Sequence, residues 1–403
     1  MYLKTRIKAE CCGCSACEQI CPKSCISMEN DEEGFLYPTV KDRDRCIDCG
    51  LCAKVCPNDS PSIDNENKHE NHCYFGWNRC DSIRRASTSG AAFYSIARFC
   101  LENGYTKVYG AELREDFSAS HKAVSSIEQL EDLVGSKYIQ SNTQSSFGEV
   151  LSDLKSGEKV VFSGTPCQID GLLHFIPVRY RKDLLTVSLI CHATACPKVF
   201  QRYVEELGTK KRVVGFKFRD KQIKNGVLSQ KYTTIKYEDG SCVSHLQDPF
   251  VVAFGQGLFT RESCMECKYT TPNRLFDITI GDFWGLLLYR PELSDEVEKG
   301  ISLIISHSEK GQAILHEMES MHLEEVPVAY AVNPIQQQLI KPLEKNPFRY
   351  GFLTSRSKRN LVIRIKTAIV MYKVYFILLR CCRKAKRMVH LYIGKERMEN
   401  ERI

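Results

Sequence analysis

Eight cysteines between residues 11 and 56 fall into two copies of one pattern. Cys11, Cys14, Cys17 and Cys21 are followed by Pro22, and Cys46, Cys49, Cys52 and Cys56 by Pro57. Two residues between successive thiolates let a tight loop wrap three ligands around one face of an iron–sulfur cubane. In the spacing C-x2-C-x2-C-x3-C-P the fourth thiolate goes to the neighbouring cluster. One 4Fe–4S cluster is therefore expected on Cys11, Cys14, Cys17 and Cys56, and a second on Cys46, Cys49, Cys52 and Cys21. Zinc also takes four thiolates, in a tetrahedron. Three cysteines at this spacing, twice over and each time with a trailing proline, favour iron and sulfur. Cys12 and Cys25 lie outside the pattern and read as bystander thiols.

The spacing is that of bacterial two-cluster ferredoxins. Four later cysteines raise the question of what such an electron wire feeds. Cys167 lies just past a strand-like run, KVVFS, and Cys191 directly ends another, LLTVSLI. Carboxyl ends of strands are where α/β sheets place their ligands. Cys264 and Cys267 form a C-x2-C pair. Spacing alone leaves open a third four-thiolate site or a set of buried free thiols. Ser87, Thr88, Ser89 and Gly90 precede a helical stretch, so backbone N–H groups there can receive a diphosphate. An ordinary helix cap is the plainer alternative.

The elements that must hold these residues follow from periodicity. Residues 107–111, 159–163 and 184–190 read as buried strands, and 90–102, 145–156 and 197–207 as helices beside them. That alternation predicts α/β architecture. Segments 213–219, 231–237 and 276–281 also read as strands, some antiparallel, so the sheet is expected to be mixed. The organisation becomes a dicluster ferredoxin-type domain (1–58), a polar linker (59–72), a body in two parts (73–155 and 156–330), an irregular arm (331–355) and a basic tail (356–403).

Composition excludes several classes. With 403 residues, 43% apolar and 10% aromatic, the chain is neither disordered nor fibrous. Its 56 Lys+Arg against 49 Asp+Glu resemble a nucleic-acid binder, but 14 of the basic residues and only 3 acidic ones lie in the tail. No recognition module accompanies that charge, so nucleic acid is not expected. The start lacks the apolar run of a secretory signal, and 21 cysteines in a reducing compartment point to metal rather than disulfides. No run of 18 apolar residues predicts a spanning helix. A cytoplasmic protein is expected, with a peripheral place on the inner membrane face. Arg359, Lys366, Lys373, Arg380 and Arg387 recur every seven residues beside abundant apolar positions. That pattern suits a basic amphipathic helix on an anionic membrane or a partner protein. Cys381 and Cys382 read as free thiols.

An ordered series of motifs then becomes recognisable: RRASTSGAAF (84–93), GSKYIQS (135–141), SGTPCQIDGL (163–172), CHATACPKVF (191–200), FRDK (218–221) and RLFDITIGDFWG (274–285). It resembles the beta-subunit family of coenzyme F420 hydrogenases and dehydrogenases, including iron–sulfur flavoproteins with a fused ferredoxin. The resemblance implies an FAD-binding domain, and a third 4Fe–4S cluster on Cys167, Cys191, Cys264 and Cys267. It implies flavin contacts from Ser87, Thr88, Ser89, Gly90, Ser136, Lys137, Tyr138, Gln140, Ser141 and Thr165, with Lys137 and His192 as candidate catalytic groups. Asp282 and Trp284 shape the pocket or merely pack their strand. The chain departs from the family in Gly90-Ala91, where two glycines are common, in His192-Ala193 for His-Gly, and in Cys196 for serine.

The expected function is an oxidoreductase passing electrons between a low-potential donor, such as a ferredoxin or another redox protein, the clusters and FAD, for hydride transfer to or from an unidentified small molecule. The alternative is an electron-transfer subunit without its own substrate, serving a partner enzyme.

Overall fold

The computed structural model describes residues 1–59, 70–224, 227–355, 357 and 360–400, without side chains for 227 and 382–400. Most of the expected linker, Arg359, and the side chains of Cys382 and Arg387 lie outside the described residues.

Each cysteine triple runs into a one-turn helix, Ala16–Gln19 and Leu51–Lys54. Between them lies an antiparallel pair, β1 (Ile26–Asn30) and β2 (Leu36–Val40), with Ile26 opposite Val40. The internal repeat extends to the backbone. Gly13 and Ser15 in the first loop, and Asp48 and Gly50 in the second, all have positive φ, from 48° to 72°. Left-handed residues at matching offsets turn successive N–H groups inward, a concavity suited to an anionic cluster.

The body is built on a nine-stranded mixed sheet. Its strands are β3 (His72–Asn78), β4 (Lys107–Leu113), β5 (Ala119–Val124), β6 (Ser141–Asn142), β7 (Val160–Gly164) and β8 (Leu184–Leu189), then β12 (Ile278–Asp282), β13 (Ser302–Ser306) and β14 (Met321–Val326). The spatial order is β14-β3-β13-β12-β8-β7-β4-β5-β6. The four central strands β12, β8, β7 and β4 run parallel. β7 and β8, at the middle of these four, are the most apolar, as a sheet buried on both faces requires. Strands from both parts of the body (73–155 and 156–330) share this sheet. A separate three-stranded sheet holds β9 (Val213–Lys224), β10 (Val227–Tyr237) and β11 (Cys242–His245). His72, read at the end of the linker, opens β3 instead. Its partners β13 and β14 lie more than two hundred residues away, and no local signal marks that pairing.

Helices Ser146–Lys155 and Pro166–Phe175 cover one face of the parallel strands, burying Phe147, Val150, Ile169 and Leu172 against Phe162. Helix Ala92–Glu102 covers the other through Ile96 and Cys100. A second core of phenylalanines (Phe200, Phe216, Phe218, Phe250 and Phe259) joins helix Pro197–Leu207 to the β9–β10 hairpin. The long terminal helix Leu361–Asn400 starts in that core, through Leu361, Ile365, Ala368 and Ile369, a spacing that keeps one face inward.

Candidate functional site

Cys11, Cys14, Cys17 and Cys56 line one small cavity of about 30 Å³, together with Cys12. Burial raises the Cys17 thiol above its ordinary value, and Cys11, Cys56 and Cys52 raise it further. The second set is more open: Cys46 and Cys49 are exposed, and Cys52 stands close enough to Cys49 and Cys21 to be perturbed by both. Cys25 is buried beside Cys21, its N–H donating to Cys21 Sγ at 3.3 Å.

The later cysteines come from three separate elements. Cys167 sits in the first turn of Pro166–Phe175, Cys191 just past β8, and Cys264 and Cys267 in and after the turn Glu262–Glu266. Burial raises Cys191 well above the ordinary thiol range, and Cys264, Cys167 and Cys267 add to the shift. Cys267 is pushed to about 12 by burial and then by Cys167. The four thiols therefore form one mutually interacting group. Buried Arg274 donates to Leu189 O at 2.9 Å and to Tyr269 O at 3.0 Å, setting a cation beside Cys191 and Cys267. Four cysteine thiolates are the ligand set that a 4Fe–4S cluster takes.

Cys12, read as a bystander, lies close enough to both Cys14 and Cys167 to perturb them and so stands between the two groups. Nothing in the spacing marks it, because its second contact depends on how the ferredoxin-type module docks. Cys196 is fully buried and donates to Glu33 O at 3.0 Å, away from the third group.

A cavity of about 500 Å³ opens at the carboxyl ends of the parallel strands, where Ala111, Gly164, Leu189 and Asp282 meet. Ser87, Thr88, Ser89, Ser136, Lys137, Tyr138, Ser141, Thr165 and His192 all line it, as does Cys191. Two expected contacts do not. The Gly90 N–H is taken by Ser302 Oγ at 2.9 Å, and a side chain there would meet Gly76 O at 2.2 Å, so this glycine serves close packing. Gln140 turns the other way, its Nε2 donating to Gly13 O and its Oε1 accepting from Arg261. The alternation of the short strand β6 puts Ser141 on the cavity side and its neighbour on the other.

The loop before helix Ala92–Glu102 is held from behind. Lys221 Nζ donates to Arg84 O and Ser89 O, both at 2.5 Å, and Ser89 Oγ donates to Ile301 O at 2.7 Å. Thr88 Oγ1 has no partner. Ala91 stands at φ 69°, a left-handed conformation that costs alanine more than glycine. Ala91→Gly is expected to stabilise the fold by about 1 kcal/mol, read as a higher guanidinium midpoint.

Lys137 Nζ donates to Leu133 O, Val134 O and Asp132 O at 2.8, 3.0 and 3.4 Å, and burial draws its pKa down to about 7. Burial also lowers His192, whose Nε2 has no partner and whose ring meets Phe254 edge-on. Two wall groups were not foreseen. Arg219, in FRDK, pairs with Asp282. His121, on β5, stacks on Phe162 and shares its Nε2 with Ser163 O at 3.1 Å, while burial lowers its pKa to about 4. The unpartnered buried atoms Thr88 Oγ1, His121 Nδ1, His192 Nε2 and Asp282 Oδ1 all belong to cavity-lining residues. Such orphans in one wall fit a polar ligand.

A dicluster cysteine module on a mixed α/β body, with a cavity at its strand ends that carries several polar groups, defines an iron–sulfur redox protein. Residues 10–60 match the family model of the 4Fe-4S dicluster domain. Residues 157–329 match that of the C terminus of the coenzyme F420 hydrogenase/dehydrogenase beta subunit. Residues 157–329 are thus similar to the carboxyl-terminal part of that beta subunit, and a dicluster ferredoxin-type segment lies on their amino-terminal side. A chain of the F420-reducing NiFe hydrogenase complex from Methanosarcina barkeri is 17% identical, with 70% of this chain and 97% of that one covered and a TM-score of 0.45. No curated protein matches.

Proposed function

We propose that the chain is an iron–sulfur flavoprotein oxidoreductase that moves electrons between a low-potential donor and a small-molecule hydride acceptor. One observation carries this: Cys191 belongs both to the buried four-thiol group and to the wall of the 500 Å³ cavity. Cys167, Cys191, Cys264 and Cys267 would hold a third 4Fe–4S cluster. Thr88, with Ser136, Tyr138, Ser141 and Thr165, would hold FAD. When bound, FAD supplies the exchange between single electrons and hydride. The exposed Cys46 and Cys49 mark the face open to a donor, whereas every thiol of the other two sets is half-buried or buried. Anaerobically reconstituted protein is expected to hold about twelve irons and about one flavin per chain. Eight irons and no flavin would refute the proposal.

Lys137 supplies a proton at the cavity wall. Its ammonium is charged below about pH 7 and neutral above, so proton donation fades as pH rises through that value. Lys137→Gln is expected to remove this limb from the pH–rate profile; an unchanged profile assigns the lysine to loop structure alone.

Beyond Ile369 the terminal helix exposes Val370, Met371, Val374, Ile377 and Leu378, with Lys366, Lys373 and Arg380 along one edge. No helix among the described residues is long and apolar enough to cross a membrane. An apolar face beside a basic edge suits adsorption to an anionic lipid surface. Co-sedimentation with phosphatidylglycerol vesicles is expected, weakened about fivefold by Lys373→Gln and abolished by Ile377→Glu. Equal binding to neutral vesicles, or none to either, would point instead to a protein partner.

A further inference from the structure

Arg261 is 1% exposed and lies between the ferredoxin-type module and the body. Its Nε donates to Cys11 O at 2.7 Å, and its Nη1 to Leu36 O at 3.0 Å and Gln140 Oε1 at 3.1 Å. The guanidinium stacks over Tyr37 at 4.1 Å. Its Nη2 has no partner, and among the described residues no carboxylate forms an ion pair with it. A buried charge left in this way is costly unless a counter-charge completes the site. Its own carbonyl accepts from the Cys264 N–H at 3.1 Å, so Arg261 touches the first set through Cys11 and the third through Cys264. Cys12, which lies with Cys11 and Cys14 in the wall of the first cavity, belongs to the same junction.

We propose that Arg261 is a counter-charge shared by the first ferredoxin cluster and the third cluster, raising the reduction potentials of both together. The inference rests on the third-cluster reading above. A cluster becomes more negative on reduction, so a fixed cation in a low-dielectric junction stabilises its reduced state. The outer cluster, on Cys21, Cys46, Cys49 and Cys52, has no such cation among its contacts from Arg261. Electrons arriving there would meet two inner acceptors tuned as a unit, with Arg261 as a positioning and tuning residue.

EPR-monitored redox titration of the reconstituted full chain tests this with two variants. Arg261→Gln removes the charge. Gln140→Glu keeps Arg261 and opposes it with a carboxylate at the existing contact. Each is expected to shift the first and third clusters to lower potential and leave the outer cluster where it was, while Arg261→Lys restores both toward the unmodified values. Should Arg261→Gln fail to retain iron, Gln140→Glu decides alone. If the unmodified chain titrates three clusters and these two potentials stay fixed, or all three move alike, the proposal is overturned. An unmodified chain that titrates two clusters overturns the third-cluster reading, and the shared counter-charge with it.

Discussion

Cys191→Ser is expected to lower iron from about twelve to about eight per chain and to slow acceptor reduction by about a hundredfold or more, since even indirect partners of a metal centre commonly cost ten- to a hundredfold. The substitution is nearly isosteric and leaves β8, which ends at Leu189, untouched. Its effect should therefore fall on the centre rather than on the fold. The position is informative because its thiol interacts with Cys264, Cys167 and Cys267 while the residue also lines the large cavity. Loss here should interrupt passage to the cavity and spare the two ferredoxin-type clusters, whose ligands lie elsewhere. Cys196→Ser provides the control: that thiol is fully buried and donates to Glu33 O, away from the third group. It should retain all the iron. Iron analysis with EPR on both variants decides, and full iron content in Cys191→Ser would remove this residue from the ligand set.

What the sequence made legible was mostly local. The repeated C-x2-C-x2-C-x3-C-P carries its own geometry, because loop length determines which thiolates share a face. Strand runs at 107–111, 159–163 and 184–190 fall on β4, β7 and β8, since buried parallel strands are written as continuous apolar stretches. The helix expected from residue 90 begins at Ala92, because Ser89 and Ala91 take left-handed backbone first. What was not legible depends on pairing at long range. Cys12 and Gln140 acquire their contacts only when the amino-terminal module docks, and Gln140 then faces Arg261 rather than the cavity. Gly90 looked like a phosphate-loop glycine, but its N–H is held by Ser302, more than two hundred residues later. His121 gave no signal at all, since a histidine on a strand becomes notable only once its Nδ1 is seen buried without a partner. The +7 net charge likewise misdescribed the body, because the excess resides in the tail.

The second large effect is expected at the ion pair that ties the module to the arm. Arg349 donates from Nη1 to Glu33 Oε1 at 3.0 Å and from Nη2 to Oε2 at 2.6 Å, with both side chains almost completely buried. Its Nε also donates to Thr260 O at 2.6 Å, next to Arg261. A buried pair adds little net stability over apolar packing, but removing one partner leaves a charge that neither water nor protein satisfies. Arg349→Met is therefore expected to destabilise the chain by about 3–5 kcal/mol. Lys8, 3.9 Å from Glu33, is already shared with Asp31 and Glu32 and can compensate only slightly. Because Glu33 follows β1 and Thr260 precedes the turn carrying Cys264, the same variant should loosen the first cluster and the third together. The double variant Arg349→Met, Glu33→Gln should recover much of the lost stability, because it removes the stranded charge along with its partner. Guanidinium unfolding of the two singles and the double, completing a mutant cycle, measures this. A double no more stable than Arg349→Met would show that the arginine acts through its bond to Thr260 and its packing, and not through the pair.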